Sequence, residues 1–157
     1  MNLNKDLIKS MSFGLNEQLL MLSSILAGLI GVKRSTVIFT LILISLSNSL
    51  PDTISYYQNS HQETNDASKS MKIAGYVFMT EMIVAVCIIL PIILIPDLKI
   101  SIIVSYLLAI LICYLNLLFL MNYNIRESTF QLVIYILIIV IIFTISKLAK
   151  KYFKINI

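Results

Sequence analysis

Charge is what this chain has little of. Only 13% of its 157 residues are Asp, Glu, Lys or Arg, against the ~25% usual for soluble globular domains. With 59% hydrophobic residues and a mean hydropathy of +0.92, this scarcity excludes a soluble domain and points to an all-α integral membrane protein. Histidine occurs once, at His61, and cysteine twice, at Cys87 and Cys113. There is no pair of histidine ligands, no nucleophile beside a base and no glycine-rich phosphate loop, so nothing marks an enzyme or a resident cofactor. Both cysteines fall inside apolar runs without metal-ligand spacing. They read as packing residues and carry no information on redox compartment. The first apolar run lacks a convincing cleavage site and is expected to stay in the mature protein.

The net charge of +4 does not point to nucleic acid. Basic residues stand at the ends of apolar segments, where they meet the headgroups of the lipid bilayer. Lys147, Lys150, Lys151 and Lys154 follow the last segment and read as a membrane-surface anchor.

Five apolar segments are predicted as transmembrane helices, at residues 13–32, 37–57, 71–95, 100–121 and 130–148. Each is near the ~20 residues that cross a bilayer as a helix. The fifth is rich in isoleucine, a strand-like bias, but a lone strand leaves its backbone unsatisfied in lipid. Residues 59–70 are the one stretch expected to form a real loop. Elsewhere Lys33, Arg34 and Ser35, the pair Pro96 and Asp97, and residues 122–129 make short connections. None can house a soluble domain, so residues 1–157 are expected to form a single membrane domain with no internal repeat. With five spans, Lys5, Lys9, Lys69, Lys72 and Arg126 share one side. Lys33, Arg34, Lys99 and the tail lysines share the other, a slight bias toward a cytoplasmic C-terminus.

A few polar groups inside these segments carry the chemistry. Ser45, Asn48, Asp52 and Ser55 are spaced three, four and three residues apart, which puts them on one face of the second helix. A carboxylate at that depth costs roughly 3 kcal/mol on insertion scales. Glu81 lies near the middle of the third segment. Glu17 lies in the first turns of its helix, where the backbone dipole offsets part of the cost. Such acids either bind and pass ions or hold helices together as protonated hydrogen-bond donors. Pro51 frees the carbonyl of Ser47, and freed carbonyls beside a carboxylate are one way to build a cation site in a membrane.

Other candidates are weaker. Met21, one turn after Glu17, either offers a thioether to a late first-row divalent metal or fills apolar space. Ser24 with Gly28, and Ala27 with Gly31, form a small-residue face suited to close helix approach. Tyr106, Cys113 and Asn116 make a second polar seam on the fourth helix. His61, beside Glu63 and Asp66, is either simply solvated or part of a weak cation-collecting group.

The stretch Phe13-Gly14-Leu15-Asn16-Glu17 resembles the Phe-Gly-x-Asn-Asp-Gly motif that opens the first helix of the vacuolar iron transporter family. Glu stands here for the usual Asp, and Gln18 for the Gly. Residues 47–56 look like that family's Asn-x-x-Ala-Asp-Gly-x-Ser-Met stretch, with Asn48, Asp52 and Ser55 in register and Tyr56 in place of the Met. Leu90-Pro91, followed by Pro96, is similar to the proline pair closing the family's third helix. The glutamate- and methionine-rich insertion that many members carry between the second and third helices has no counterpart in residues 59–70, and no Gly-Glu pair follows the second-helix motif.

The resemblance implies a five-helix homodimer with a cytoplasmic N-terminus that exports divalent metal, ferrous iron or manganese, in exchange for protons. It implies metal-pathway roles for Glu17, Asp52 and Ser55. Asn48, Glu81 and Met21 complete the candidate metal set from the reading of the residues themselves. Carboxylates can trade a proton for a cation, which is the chemical basis of such exchange. The shortened link and Tyr56 also fit a second reading, a non-transporting membrane interaction or assembly protein derived from the same fold.

Overall fold

Leucines at 15, 19, 22 and 26 recur at steps of four, three and four, the period of one helix face. In the computed structural model, which describes residues 3–152, that face lies at the centre of the molecule. The first helix, α1 (Leu3–Gly28), touches all four of the others, and Leu19, Leu22 and Leu26 are essentially sealed from the surface. Around it stand α2 (Arg34–Thr64), α3 (Ala67–Leu94), α4 (Leu98–Leu115) and α5 (Ile125–Tyr152). A π-helical turn, Asn116–Leu120, continues α4.

The helices α2, α3, α4 with its π turn, and α5 are long and apolar enough to cross a membrane. Together they mark an integral membrane protein. By contrast α1 falls short on composition, because Asn16, Glu17 and Gln18 interrupt its apolar sequence. The helix least suited to lipid is thus the one the others enclose. At the opposite extreme α5 turns Leu132, Tyr135, Ile139 and Ser146 inward and exposes most of its isoleucines. Its helical state agrees with the argument that a lone strand cannot stand in lipid.

Local chemistry sets the ends. Gly31 takes a φ of +94° in the turn between α1 and α2, a conformation that glycine adopts without strain. Asn65 closes α2 in the left-handed region, and its N–H donates to the His61 carbonyl. Asp66 caps α3 by accepting from the Lys69 N–H at 3.0 Å. Asp97 caps α4 by accepting from the N–H groups of Lys99 and Ile100. Pro96 forbids a further turn of α3. Asn124 and Glu127 form a reciprocal box at the start of α5: the Glu127 N–H donates to Asn124 Oδ1, and the Asn124 N–H to Glu127 Oε2.

Two expectations from the sequence need correction. Residues 59–70 are not a loop: α2 runs to Thr64 and α3 starts at Ala67, leaving Asn65 and Asp66 as the link. Capping by Asn65 and Asp66 lets two polar helix ends project past the apolar core. The small-residue face also fails within the chain, since a Cβ on Gly28 would meet nothing within 4 Å and Gly31 lies in the turn. Only Ala27 of that face is packed, with its carbonyl accepting from Ser146 of α5 at 3.2 Å. Of the tail lysines, Lys154 lies outside the described residues.

Polar bonds tie α1 to its neighbours. Tyr106 of α4 donates to the Ser23 carbonyl at 2.8 Å, and the Ser23 and Tyr135 hydroxyls are 2.9 Å apart. On the α3–α4 contact, Ser105 donates to the Ile88 carbonyl at 2.8 Å. Between membrane helices such bonds average about 0.6 kcal/mol and reach about 1.7, so they fix register more than they supply stability.

Candidate functional site

The inward stripe of α2 runs Val37, Leu41, Ser45, Ser49 and Ser60. Steps of four, then one of eleven, keep it on one face, and that face looks at α3 and α1. The polar seam expected on this helix is therefore rotated. Ser45 is buried but donates to its own Leu41 carbonyl at 2.7 Å, so its hydroxyl is satisfied. Asn48 and Asp52 are half-buried, and Asn48 Nδ2 donates to Asp52 Oδ2 at 2.8 Å. Ser55 is exposed, and its place on the inner side is taken by Ser49 and Tyr56. Pro51 and Ser47 are exposed as well, so the carbonyl freed by the proline lies on the outer face of α2.

Glu81 comes in from α3 and is fully buried. It lies against Gly14 of α1. Neither carboxyl oxygen has a hydrogen-bond partner. The Ser49 hydroxyl faces it, but the geometry falls short of a hydrogen bond. Glu17 of α1, Asp52 of α2 and Glu81 of α3 lie within electrostatic reach of one another. The Tyr56 hydroxyl is within reach of all three. Three helices thus bring the three acids singled out in the sequence into one region.

The bundle also buries further polar groups, of which only Asn116 was singled out in the sequence. Gln18 is fully buried, and both its amide atoms lack a partner. Ser12 and Ser49 are likewise sealed with free hydroxyls. Asn116, at the start of the π turn, donates to Asn16 Oδ1 at 3.0 Å and to the Ser12 carbonyl at 3.4 Å, while its own Oδ1 is unpartnered. The seam expected on α4 thus faces α1. A signal for Ser49 was legible in the sequence, because the four-residue step from Val37 through Ser45 points to it. Gln18 carried no such mark beyond its place beside Glu17.

The remaining candidates stay apart. Met21 packs against the apolar core. Cys87 and Cys113 are free thiols, and Cys113 is buried as a packing residue. His61 stacks on Tyr57 with ring centroids 5.8 Å apart. Among the described residues, no three His, Cys, Asp or Glu side chains gather closely enough to hold one metal ion. The acids converge without closing on a point. Any cation here would be held by one or two carboxylates at a time, with amide and hydroxyl oxygens completing its shell, a hard donor set suited to manganese and similar ions. A scan against protein-family models and searches of curated proteins and of solved structures find no match to this chain.

Proposed function

We propose that this chain is a small transporter of divalent metal, ferrous iron or manganese, driven by proton exchange and acting as a homodimer. Glu17 and Asp52 carry the cation, and Asn48 orients Asp52. The observation that carries the reading is the meeting of three acids from three helices, one of them sealed without a partner. Intramembrane acids are rare, face a bundle interior or a water-filled cavity, and mark ion paths and proton relays. The motif resemblance in the first two helices supports the same assignment.

In this reading α1 is the fifth span. Its 26 residues extend roughly 39 Å at 1.5 Å per residue, enough to cross, and its polar stretch is shielded by the surrounding helices. The half-buried Asn48–Asp52 pair leaves a polar patch on the outer side of α2. Lipid covers such a patch poorly, and a second copy seated there would shield it.

Uptake of iron or manganese into vesicles reconstituted with the protein tests the assignment. Asp52→Ala should abolish uptake while the protein still elutes as a folded species in detergent. Unchanged uptake overturns the assignment.

One observation favours the second reading, an interaction or assembly protein: no three metal-ligating side chains cluster among the described residues. Cells expressing the wild type or a Glu17→Ala/Asp52→Ala variant separate the two. Equal growth in excess iron and in excess manganese favours assembly over transport.

A further inference from the structure

A cavity of about 470 Å³ enters the bundle between the first half of α1, the end of α2 and the start of α3, with Met121 at its edge. Lys9 and Glu63 stand among its lining residues, with Ser12, Asn16, Tyr56 and Ser60. Two of these are more than nine-tenths buried: Ser12 is fully enclosed and Ser60 is 8% exposed. Both hydroxyls lack a partner within the protein. Asn16 and Ser12 connect the cavity to Asn116, whose Oδ1 is also unpartnered. Phe13 and Asn16 in the lining flank Gly14, which meets Glu81, and precede Glu17, while Tyr56 stands one turn after Asp52, so the cavity ends beside the three acids.

Unpaired buried polar atoms cost about 1–3 kcal/mol each, and water is the ordinary remedy where a cavity is polar and roomy. This cavity is many times the ~30 Å³ share of one water molecule. A wholly apolar lining would leave such a space dry; here Phe13, Ile73 and Met121 share the wall with hydroxyls, amides, the Glu63 carboxylate and the Lys9 ammonium, enough polar partners to hold water. The opposite end of the bundle is built differently. There Arg34, at the start of α2, donates to the carbonyls of Ile95 and Pro96 at the end of α3, and Ser101 and Ser105 are buried with their hydroxyls bonded.

We propose that this cavity is a water-filled vestibule, open on the side shared by the start of α1 and the end of α2, through which small hydrated cations reach the acids. The bundle is open at this end and clasped shut at the Arg34 end. The identity of the passing ion rests on the transport reading; the wetness of the vestibule does not.

Cysteine accessibility tests it. In a Cys87→Ala/Cys113→Ala background, the variants Ser12→Cys, Ser60→Cys and Ser105→Cys are placed in vesicles of known orientation. A membrane-impermeant, positively charged methanethiosulfonate reagent is then added to one face at a time. Ser12→Cys and Ser60→Cys should label at least an order of magnitude faster from the α1 N-terminal face, and Ser105→Cys from neither. Equal rates from both faces, or an unreactive Ser12→Cys, overturn the proposal. Hydroxyl-radical footprinting of the unmodified chain provides a check that needs no folded variant. Tyr56 should oxidise readily while Tyr106, half-buried and bonded to the Ser23 carbonyl, is spared. Equal protection of both overturns the vestibule. Labelling requires no transport, so a wet Ser12 in a protein that moves no metal keeps the vestibule and removes the cargo. A dry Ser12 in a protein that still moves metal does the reverse.

Discussion

Glu81 of α3 presses on Gly14 of α1: its Oε1 lies 2.8 Å from the point a Cβ at position 14 would occupy, with Val77 Cγ1 at 3.0 Å. The missing side chain is what admits a carboxyl group between two packed helices. Gly14→Ala is therefore expected to displace the flexible end of Glu81 and crowd Val77, a cost near the low end of overpacking changes, about 1 kcal/mol, against which alanine's better helix propensity works. Glu81→Ala removes the group that alanine would strike, so the double variant should recover part of that loss. Thermal unfolding in detergent of both singles and the double measures the coupling. A Gly14→Ala protein as stable as the wild type would show that the contact is not tight.

The same carboxyl group supports a second expectation. Because neither Glu81 oxygen has a partner, Glu81→Gln forfeits no hydrogen bond within the chain. It should keep stability within about 1 kcal/mol of wild type, the scale of a single net hydrogen bond. Under the transport reading, metal uptake should still fall by an order of magnitude, since the amide cannot bind or release a proton. A stable variant with wild-type uptake takes Glu81 out of the path and leaves Glu17 and Asp52 in it.

These two residues also show how far the sequence could be read. The depth of Glu81 was visible from its place near the middle of an apolar run, and an inward orientation followed from the rule that such acids face a bundle interior; that it would meet Glu17 and Asp52 was not visible. Its contact with Gly14 was not visible, because periodicity gives the face of a helix and not the neighbour that face meets. Ser55 shows a different limit. Three residues from Asp52, it shares a broad helical sector with it, yet the turn of about 100° per residue places Tyr56 inward and leaves Ser55 exposed. The link at residues 59–70 looked like a loop because it is polar, but polarity there reflects helix ends beyond the apolar core. The enclosed position of α1 was hidden as well. In sequence α1 reads as a span like the other four, and its burial comes from partners that no local pattern announces.

The contact between α1 and α5 gives a third expectation. Ser23 and Tyr135 share a hydrogen bond at 2.9 Å within a buried setting, and Tyr135 also approaches the Leu19 carbonyl at 3.4 Å. Most of the α5 surface is exposed, so few other polar ties hold it. Tyr135→Phe should destabilise by about 0.6–1.7 kcal/mol, the range for polar pairs between membrane helices. Ser23→Ala should cost a similar amount, and the double variant much less than their sum. Additive losses in denaturant unfolding would mean that the two hydroxyls act separately.

The last expectation concerns the clasped end. Arg34 is the first residue of α2, and its guanidinium reaches the carbonyls of Ile95 and Pro96 where α3 gives out. Ile95 is the C-cap of α3 and Pro96 lies in the link beyond it, and a cation beside a helix C-terminus also complements the dipole. Arg34→Ala should therefore loosen the α1–α2 and α3–α4 turns together. The group stands at the membrane surface, where water and salt weaken it, so the expected loss is about 1 kcal/mol, the upper end for exposed charged pairs. Both bonds come from one guanidinium nitrogen, Nη2; Arg34→Lys keeps the charge and offers N–H donors on a shorter, more strongly hydrated head, and should fall between the two. Hydrogen exchange at the amides of Val32 and Ile95, bonded to the Leu29 and Pro91 carbonyls on the two facing turns, is the readout. Faster exchange at both in Arg34→Ala is expected, and faster exchange at only one would show that the turns open independently.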